Sequence, residues 1–162
     1  MADAPTTQLA PNPRFEAAAQ PAIAKLIGFR LTAFGSGEAT VELDSSPQHY
    51  NPMGTVHGGV LCDIADAAMG MAFASTLEAD QSFTTLELKI NFLRPVWEAN
   101  LQAKARVTSR GKTVALVECD VTDANGRLMA RASSTCLVLS GKWRRDARNH
   151  SAGARCKWDL GS

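Results

Sequence analysis

Residues 51–77 read NPMGTVHGGVLCDIADAAMGMAFASTL, and this stretch decides how the rest of the chain folds. Residues 60–77 are apolar at nearly every position, which is typical of a helix that is buried on most of its faces. Asp63 and Asp66 interrupt this pattern, and carboxylates are rare in such surroundings unless they have a partner or a function. The sequence therefore predicts a central helix that carries chemistry as well as packing.

The regions on either side of this helix show the two-residue alternation of strands. A short helix over residues 16–26, which Gly28 is placed to end, precedes them. Strands are predicted over residues 31–34, 39–43, 85–92, 101–108, 113–121 and 128–139. Because turn residues join the later strands directly, we predict an α+β fold in which an antiparallel sheet wraps the central helix.

Composition argues against several classes of partner. A formal net charge of +1 and 6% aromatic residues provide neither the field nor the stacking surfaces of a nucleic-acid-binding protein. The four cysteines have no paired spacing, which indicates reduced thiols in a cytoplasmic protein. The first residues lack the pattern of a secretory signal, and no segment is expected to span a membrane. The three histidines lack metal-ligand spacing, so no metal is expected.

The chain divides into three parts. Residues 1–14 contain three prolines and are predicted to be a flexible arm, residues 15–140 a single domain, and residues 141–162 a basic tail. The tail has six Lys or Arg residues against two Asp. It is either a solvated segment or one that contacts phosphates or another subunit through Trp143, Arg144, Arg145 or Trp158.

The start of the central helix suggests acyl-transfer chemistry. Gly58 and Gly59 leave helix-start amides open to a substrate, and such amides can hold a developing oxyanion, although a tight turn alone would also explain them. Asp66 lies eight residues beyond Gly58, or ~12 Å along a helix axis. If both residues serve one carbonyl group, they must come from two copies of the chain, so this hypothesis predicts a dimer with shared sites. His57 either donates from its ring or braces the loop.

These residues carry a family resemblance. Residues 51–70, followed by TLELKINFLRP at 85–95, closely resemble the hotdog-fold acyl-CoA thioesterases of the phenylacetic-acid-degradation type. The motifs in register are N-x-x-G-x-x-H-G-G, an acid nine residues after the histidine, and F-L-R-P. The resemblance implies a long helix wrapped by a five- or six-stranded antiparallel sheet, an acyl-CoA substrate, and homodimers that usually pair into tetramers. It implies no cofactor, since coenzyme A is part of the substrate.

The resemblance also implies roles for single residues. The Gly58 N–H binds the thioester oxygen, His57 lies beside it, and Asn51 positions the water or the thioester. Asp66 of the facing subunit acts as general base or as nucleophile, two routes that the sequence leaves open. Thr85 orients the carboxylate or the water. Regular alternation, however, puts Thr85 opposite the leucines that cover the helix, so its role requires that end of the strand to meet a subunit interface.

Coenzyme A carries phosphates, for which Arg94, Arg110 and Lys112 are the candidate contacts. Arg110 and Lys112 also fit the simpler interpretation of basic residues on an exposed hairpin. The walls of the acyl pocket are expected from the small residues of the helix and from loops near Met53, Met69, Met71, Phe73 and Phe83, which is consistent with aryl or medium-chain acyl groups.

Hydrolysis of an acyl-CoA to the free acid and coenzyme A is the expected function. A non-catalytic acyl-CoA-binding protein and a hotdog hydratase or dehydratase are the alternatives. The proline-rich segment that is typical of such dehydratases after the histidine is absent here.

Overall fold

The computed structural model describes residues 21–140. The elements in chain order are α1 (Ala22–Ile27), β1 (Arg30–Gly35), β2 (Glu38–Asp44), a 3-10 turn (Pro47–His49), α2 (Gly58–Ala74), β3 (Gln81–Phe92), β4 (Asn100–Arg110), β5 (Val114–Asp123) and β6 (Leu128–Ser140). The predicted arm, the predicted basic tail and the first part of the predicted helix 16–26 lie outside the described residues. No helix in the described range has the length and apolarity needed to cross a bilayer.

All six strands form one antiparallel sheet in the order β1-β2-β4-β5-β6-β3. β1 and β3 are therefore the edge strands of this sheet. Gly28 ends α1 in the left-handed conformation, with φ of 93°, as its position in the sequence predicts. The prediction of a six-stranded antiparallel sheet around one long helix is confirmed.

The sheet covers one side of α2. The helix residues buried against it are Leu61, Ile64, Ala65, Ala68, Met69, Ala72, Phe73 and Ala74. Each large apolar side chain among them stabilises the fold by roughly 1.5–3 kcal/mol. Asp63 and Asp66 are exposed on the other side, where Ala67 and Met71 are only half-buried. Only Gly59, Asp63 and Asp66 are exposed among the seventeen residues of α2, so the prediction of a helix that is buried on most of its faces is confirmed.

A β-bulge interrupts β3 at Leu86, which is 58% exposed. Before the bulge, Phe83 and Thr85 pair with β6 residues whose side chains are buried in the core, so both face the helix side of the sheet. After the bulge, Leu88 takes that side. The expectation that Thr85 faces away from the helix is therefore wrong, because the extra residue shifts the alternation by one position.

A buried histidine fixes the loop that leads into α2. His49 is 6% exposed, and its Nδ1 accepts the Ser46 backbone N–H at 3.0 Å. Its Nε2 lies 2.8 Å from the Ile27 carbonyl, which can only accept, so the ring proton is on Nε2. The His49 carbonyl in turn accepts the His57 N–H at 2.8 Å. The loop is thus bonded to the end of α1 and to the start of α2.

Candidate active site

A cavity of about 570 Å³ opens at the start of α2. Its walls include Asn51, His57, Gly58 and Arg94, four residues that the sequence proposes for the site. We call it the amide cavity, because the free helix-start amide lies in it. Asp66 and Thr85 are not among its wall residues.

His57 caps α2. Its backbone is extended, and its Nδ1 accepts the Gly59 N–H at 2.8 Å. The Gly59 amide is therefore occupied, and the expectation of two open amides is wrong. The Gly58 N–H has no acceptor among residues 21–140. Since Nδ1 accepts, the neutral His57 ring carries its proton on Nε2, and this nitrogen can donate to another group.

Asn51 holds its own loop together. Its Oδ1 accepts the Met53 N–H at 2.9 Å, and its Nδ2 donates to Thr55 Oγ1 at 2.9 Å. An amide nitrogen has two N–H groups, so one donor of Asn51 remains after the bond to Thr55. The residue can therefore brace the loop and still contact a water or substrate in the amide cavity.

A second cavity, of about 380 Å³, lies along the exposed side of α2. Its walls are formed by Pro21, Ile23, Phe29, Leu31, Val41, Asp63, Asp66, Ala67, Gly70, Met71, Ala74 and Phe83. We call it the acid cavity. Asp63 and Asp66 are exposed among its walls, whereas Val41 and Ala74 are each 1% exposed. The structure thus places Asp66 and Gly58 in different cavities of one chain.

The residues that are expected near the acyl pocket lie in different surroundings. Met71 and Phe83 line the acid cavity, but Met69 and Phe73 are fully buried in the core. Met53 is 82% exposed and lines neither cavity. Thr85 lines neither cavity, although it lies two residues from Phe83 on the same side of the sheet.

Asp63 influences the protonation of Asp66. Desolvation by the surrounding apolar atoms raises the pKa of Asp66, and the negative charge of Asp63 raises it further. Desolvation likewise raises the pKa of Asp63. Within residues 21–140 neither carboxylate has a salt-bridge partner. An unpaired carboxylate with a raised pKa at the mouth of a cavity is suited to accept a proton or to attack a substrate.

The three basic candidates lie apart. Arg94 lines the amide cavity, and its Nη1 donates to the Leu128 carbonyl at 2.5 Å. Arg110, at the end of β4, has its guanidinium carbon 5.2 Å from the centre of the Phe73 ring and a hydrogen bond to the Gly111 carbonyl. Neither Arg110 nor Lys112 lines the amide cavity, so in one chain only Arg94 accompanies Gly58.

Sequence reasoning missed two residues that support these cavities. Phe92 lies against Gly58, and His49 braces the loop. Both depend on contacts between distant segments and leave no local pattern. Among residues 21–140, His, Cys, Asp and Glu side chains nowhere form a group of three that could hold a metal ion.

Comparisons with known proteins identify the family of the chain. The model of the thioesterase superfamily matches residues 53–130. A protein of Saccharolobus solfataricus to which esterase activity is ascribed by name is 32% identical over 120 residues, covering 74% of this chain and 85% of the relative. Human acyl-coenzyme A thioesterase 13 is 28% identical over 107 residues, covering 65% of this chain and 76% of the relative.

Solved structures share the fold. A conserved protein of Pseudomonas aeruginosa superposes with a TM-score of 0.72 at 32% identity, covering 76% of this chain and 98% of that structure. The E. coli PaaI protein from the phenylacetic acid degradation operon has a TM-score of 0.72 at 24% identity, covering 80% of this chain and 92% of that structure. A phenylacetic acid degradation-related protein of Ralstonia eutropha has a TM-score of 0.67 at 33% identity, covering 72% of this chain and 89% of that structure. The predictions of a hotdog fold and of a thioester hydrolase are confirmed, and the chain belongs to the thioesterase superfamily, among the hotdog-fold enzymes of the phenylacetic-acid-degradation type.

Proposed function

We propose that the protein hydrolyses an acyl-CoA thioester to the free acid and coenzyme A at a site shared by two subunits. The single observation behind this proposal is the separation of Gly58 and Asp66. They line different cavities and are eight residues apart on one helix, which corresponds to ~12 Å along the axis. A carbonyl carbon within reach of the Gly58 amide is therefore out of reach of Asp66 in the same chain.

The position of β3 supports the sharing. This strand is at the edge of the sheet, where its outer backbone groups are available to another strand. Phe92, at one end of β3, contacts Gly58, and Phe83, near the other end, lines the acid cavity. If β3 pairs antiparallel with its copy across a two-fold axis, the Phe92 end of one chain meets the Phe83 end of its partner. The amide cavity of each chain then adjoins the acid cavity of the other.

The chemistry needs few groups. The Gly58 N–H, with the His57 Nε2–H beside it, holds the thioester oxygen as negative charge develops on it. Asp66 of the second subunit either takes a proton from the attacking water or attacks the carbonyl carbon to form a mixed anhydride that water then hydrolyses. In both routes the carbon–sulfur bond breaks and coenzyme A leaves as the thiol. Thr85 and the remaining N–H of Asn51 would orient the water or the carboxylate.

The same geometry favours one of the three basic candidates for contact with the phosphates. Arg94 is the first candidate for the phosphates of coenzyme A, because it shares a cavity with the Gly58 amide. Arg110 and Lys112 can contact these phosphates only if a second subunit places its amide cavity near their hairpin.

An acyl-CoA panel with a thiol-specific dye tests the reaction. Purified protein should release coenzyme A, and Asp66→Asn should lower kcat by about 10²–10⁴-fold. Full activity of Asp66→Asn would contradict the role of this residue. Binding of acyl-CoA without thiol release would instead favour a non-catalytic binding protein.

A mixed dimer tests the sharing. Asp66→Asn chains and His57→Ala chains are co-expressed with different tags. In a shared-site dimer, each heterodimer regains one intact site, so random mixing should restore about one quarter of wild-type activity to two inactive variants. If each chain holds a complete site, mixing will restore nothing. Light scattering of the same sample reports whether dimers pair further into tetramers.

A further inference from the structure

We propose that Gly70 sets the size of the acyl group that the enzyme accepts, by leaving the inner part of the acid cavity open. This inference rests on the proposed function, because it assigns the acid cavity to the acyl group of the substrate. It adds a specificity-determining residue to a site whose reacting groups lie elsewhere.

The acid cavity has a direction along α2. Asp66 is exposed at its mouth, Gly70 lies one turn further, and Ala74, another turn on, is 1% exposed. Asp66 and Ala74 are thus ~12 Å apart along the helix axis. A thioester whose carbonyl carbon is next to Asp66 can extend its acyl group inward along this line. Because the inner walls are apolar and two carboxylates stand at the mouth, the group that fits is uncharged and hydrophobic.

Neither the backbone nor the packing requires glycine at position 70. Its φ is not positive, and a Cβ built there would lie 3.5 Å from Cζ of Phe83, which is an ordinary contact distance. Alanine is the better helix former at an interior position. Glycine therefore makes the helix less stable than alanine would. Its lack of a side chain leaves more space inside the acid cavity.

Phe83 forms the wall next to Gly70. Its ring packs edge-on against the fully buried Phe73, with ring centres 5.2 Å apart and an angle of 81° between the planes. A Cβ at position 70 would already contact Phe83, so a side chain added there would take up space at this wall and narrow the cavity.

The test compares wild type with Gly70→Ala and Gly70→Leu on butanoyl-, octanoyl-, palmitoyl-, phenylacetyl- and succinyl-CoA. The ratio of kcat/KM for octanoyl-CoA to that for butanoyl-CoA should fall about tenfold or more in Gly70→Ala and further in Gly70→Leu. Butanoyl-CoA, whose acyl chain is the shortest of the panel, is the reference substrate to which each longer acyl group is compared within the same variant. The melting temperature of Gly70→Ala should rise, which verifies folding. Succinyl-CoA should be a poor substrate throughout.

An unchanged octanoyl-to-butanoyl ratio would overturn the inference. So would an equal loss on every substrate, because that result places Gly70 at the reacting groups or in folding. If wild type hydrolyses none of the acyl-CoAs, the proposed function fails, and calorimetry with non-hydrolysable thioether analogues of the same chain lengths still decides the inference. Weaker binding of only the longer analogue by Gly70→Ala would support it, and equal binding would overturn it.

Discussion

The ring of Phe92 lies directly against the backbone of Gly58, and a Cβ atom built on Gly58 would be 2.9 Å from Cζ of that ring. This distance is too short for two carbon atoms, so any side chain at position 58 must displace Phe92. The ring is 54% exposed and has room to move, but it lines the amide cavity. The first residue of α2 is therefore coupled sterically to the last residue of β3.

Gly58→Ala should fold but lose activity. The displaced Phe92 ring and the new methyl group obstruct the approach to the Gly58 N–H, and loss of one oxyanion donor costs about 10²–10³-fold in kcat. Steady-state kinetics on the best acyl-CoA measures this effect. The double variant Gly58→Ala, Phe92→Ala should recover part of the loss, with Phe92→Ala alone as the control. If the double variant is no better than Gly58→Ala, the coupling between the two residues does not cause the loss.

His57 has two separable roles. Replacement by alanine removes both the helix cap and the ring donor, whereas asparagine keeps an oxygen that can accept the Gly59 N–H. We expect His57→Ala to lose about 1 kcal/mol of unfolding free energy and His57→Asn to retain most of it. Both variants should lose activity, because neither has the Nε2–H. Denaturant titration and kinetics distinguish these effects, and an active His57→Asn would show that the histidine acts only as a cap.

The rate should depend on pH through the two acids. Asp66 must be ionised to act, and its pKa is raised by desolvation and by Asp63. kcat/KM should therefore fall on acidification at a pH above the usual range for aspartate. Asp63→Asn removes one negative charge, so the pKa of Asp66 should fall and the acidic limb of the profile should shift to lower pH. A shift to higher pH, or none, would contradict the electrostatic coupling of the pair.

Asp66 should also reduce stability at neutral pH. A folded-state pKa above the unfolded one means that this carboxyl favours the folded chain at low pH, and that the benefit is lost as pH rises through the folded-state value. Asp66→Asn should therefore melt at a higher temperature than wild type at neutral pH. The difference should shrink as the solution is acidified and the wild-type carboxyl becomes protonated. Calorimetric scans over a pH series provide the measurement, and a gain that is constant with pH would argue for a packing effect instead.

The sequence was sufficient for the features that depend on local periodicity. The apolar run predicted α2, and the two-residue alternation predicted most of the strands. Helix geometry predicted that Gly58 and Asp66 are too far apart to serve one carbonyl group in the same chain. The sequence was insufficient where a single residue changes the register, since nothing around Leu86 marks the bulge that turns Thr85 to the helix side. The sequence also predicted two open amides at the start of α2 where the structure has one. The His57 ring occupies the Gly59 amide, and this contact depends on one side-chain rotamer.

The bulge makes Thr85 and its neighbour Thr84 a matched pair. Thr85 faces the helix side of the sheet, whereas Thr84 alternates to the other side. Thr85→Val, which removes the hydroxyl and keeps the shape, should lower kcat with little change in KM, and Thr84→Val should leave both close to wild type. Equal effects of the two substitutions would remove Thr85 from the site.

The buried imidazole of His49 depends on α1 for one of its hydrogen bonds. Its Nε2–H is satisfied by the carbonyl of Ile27, the last residue of α1. A chain shortened past this helix would leave that donor without a partner in an apolar setting, at a cost of about 1–3 kcal/mol. The strain would fall on the segment that presents Asn51 and His57. Removal of α1 would thus loosen a loop that is distant in sequence. A shortened variant of the protein should therefore begin before Ala22.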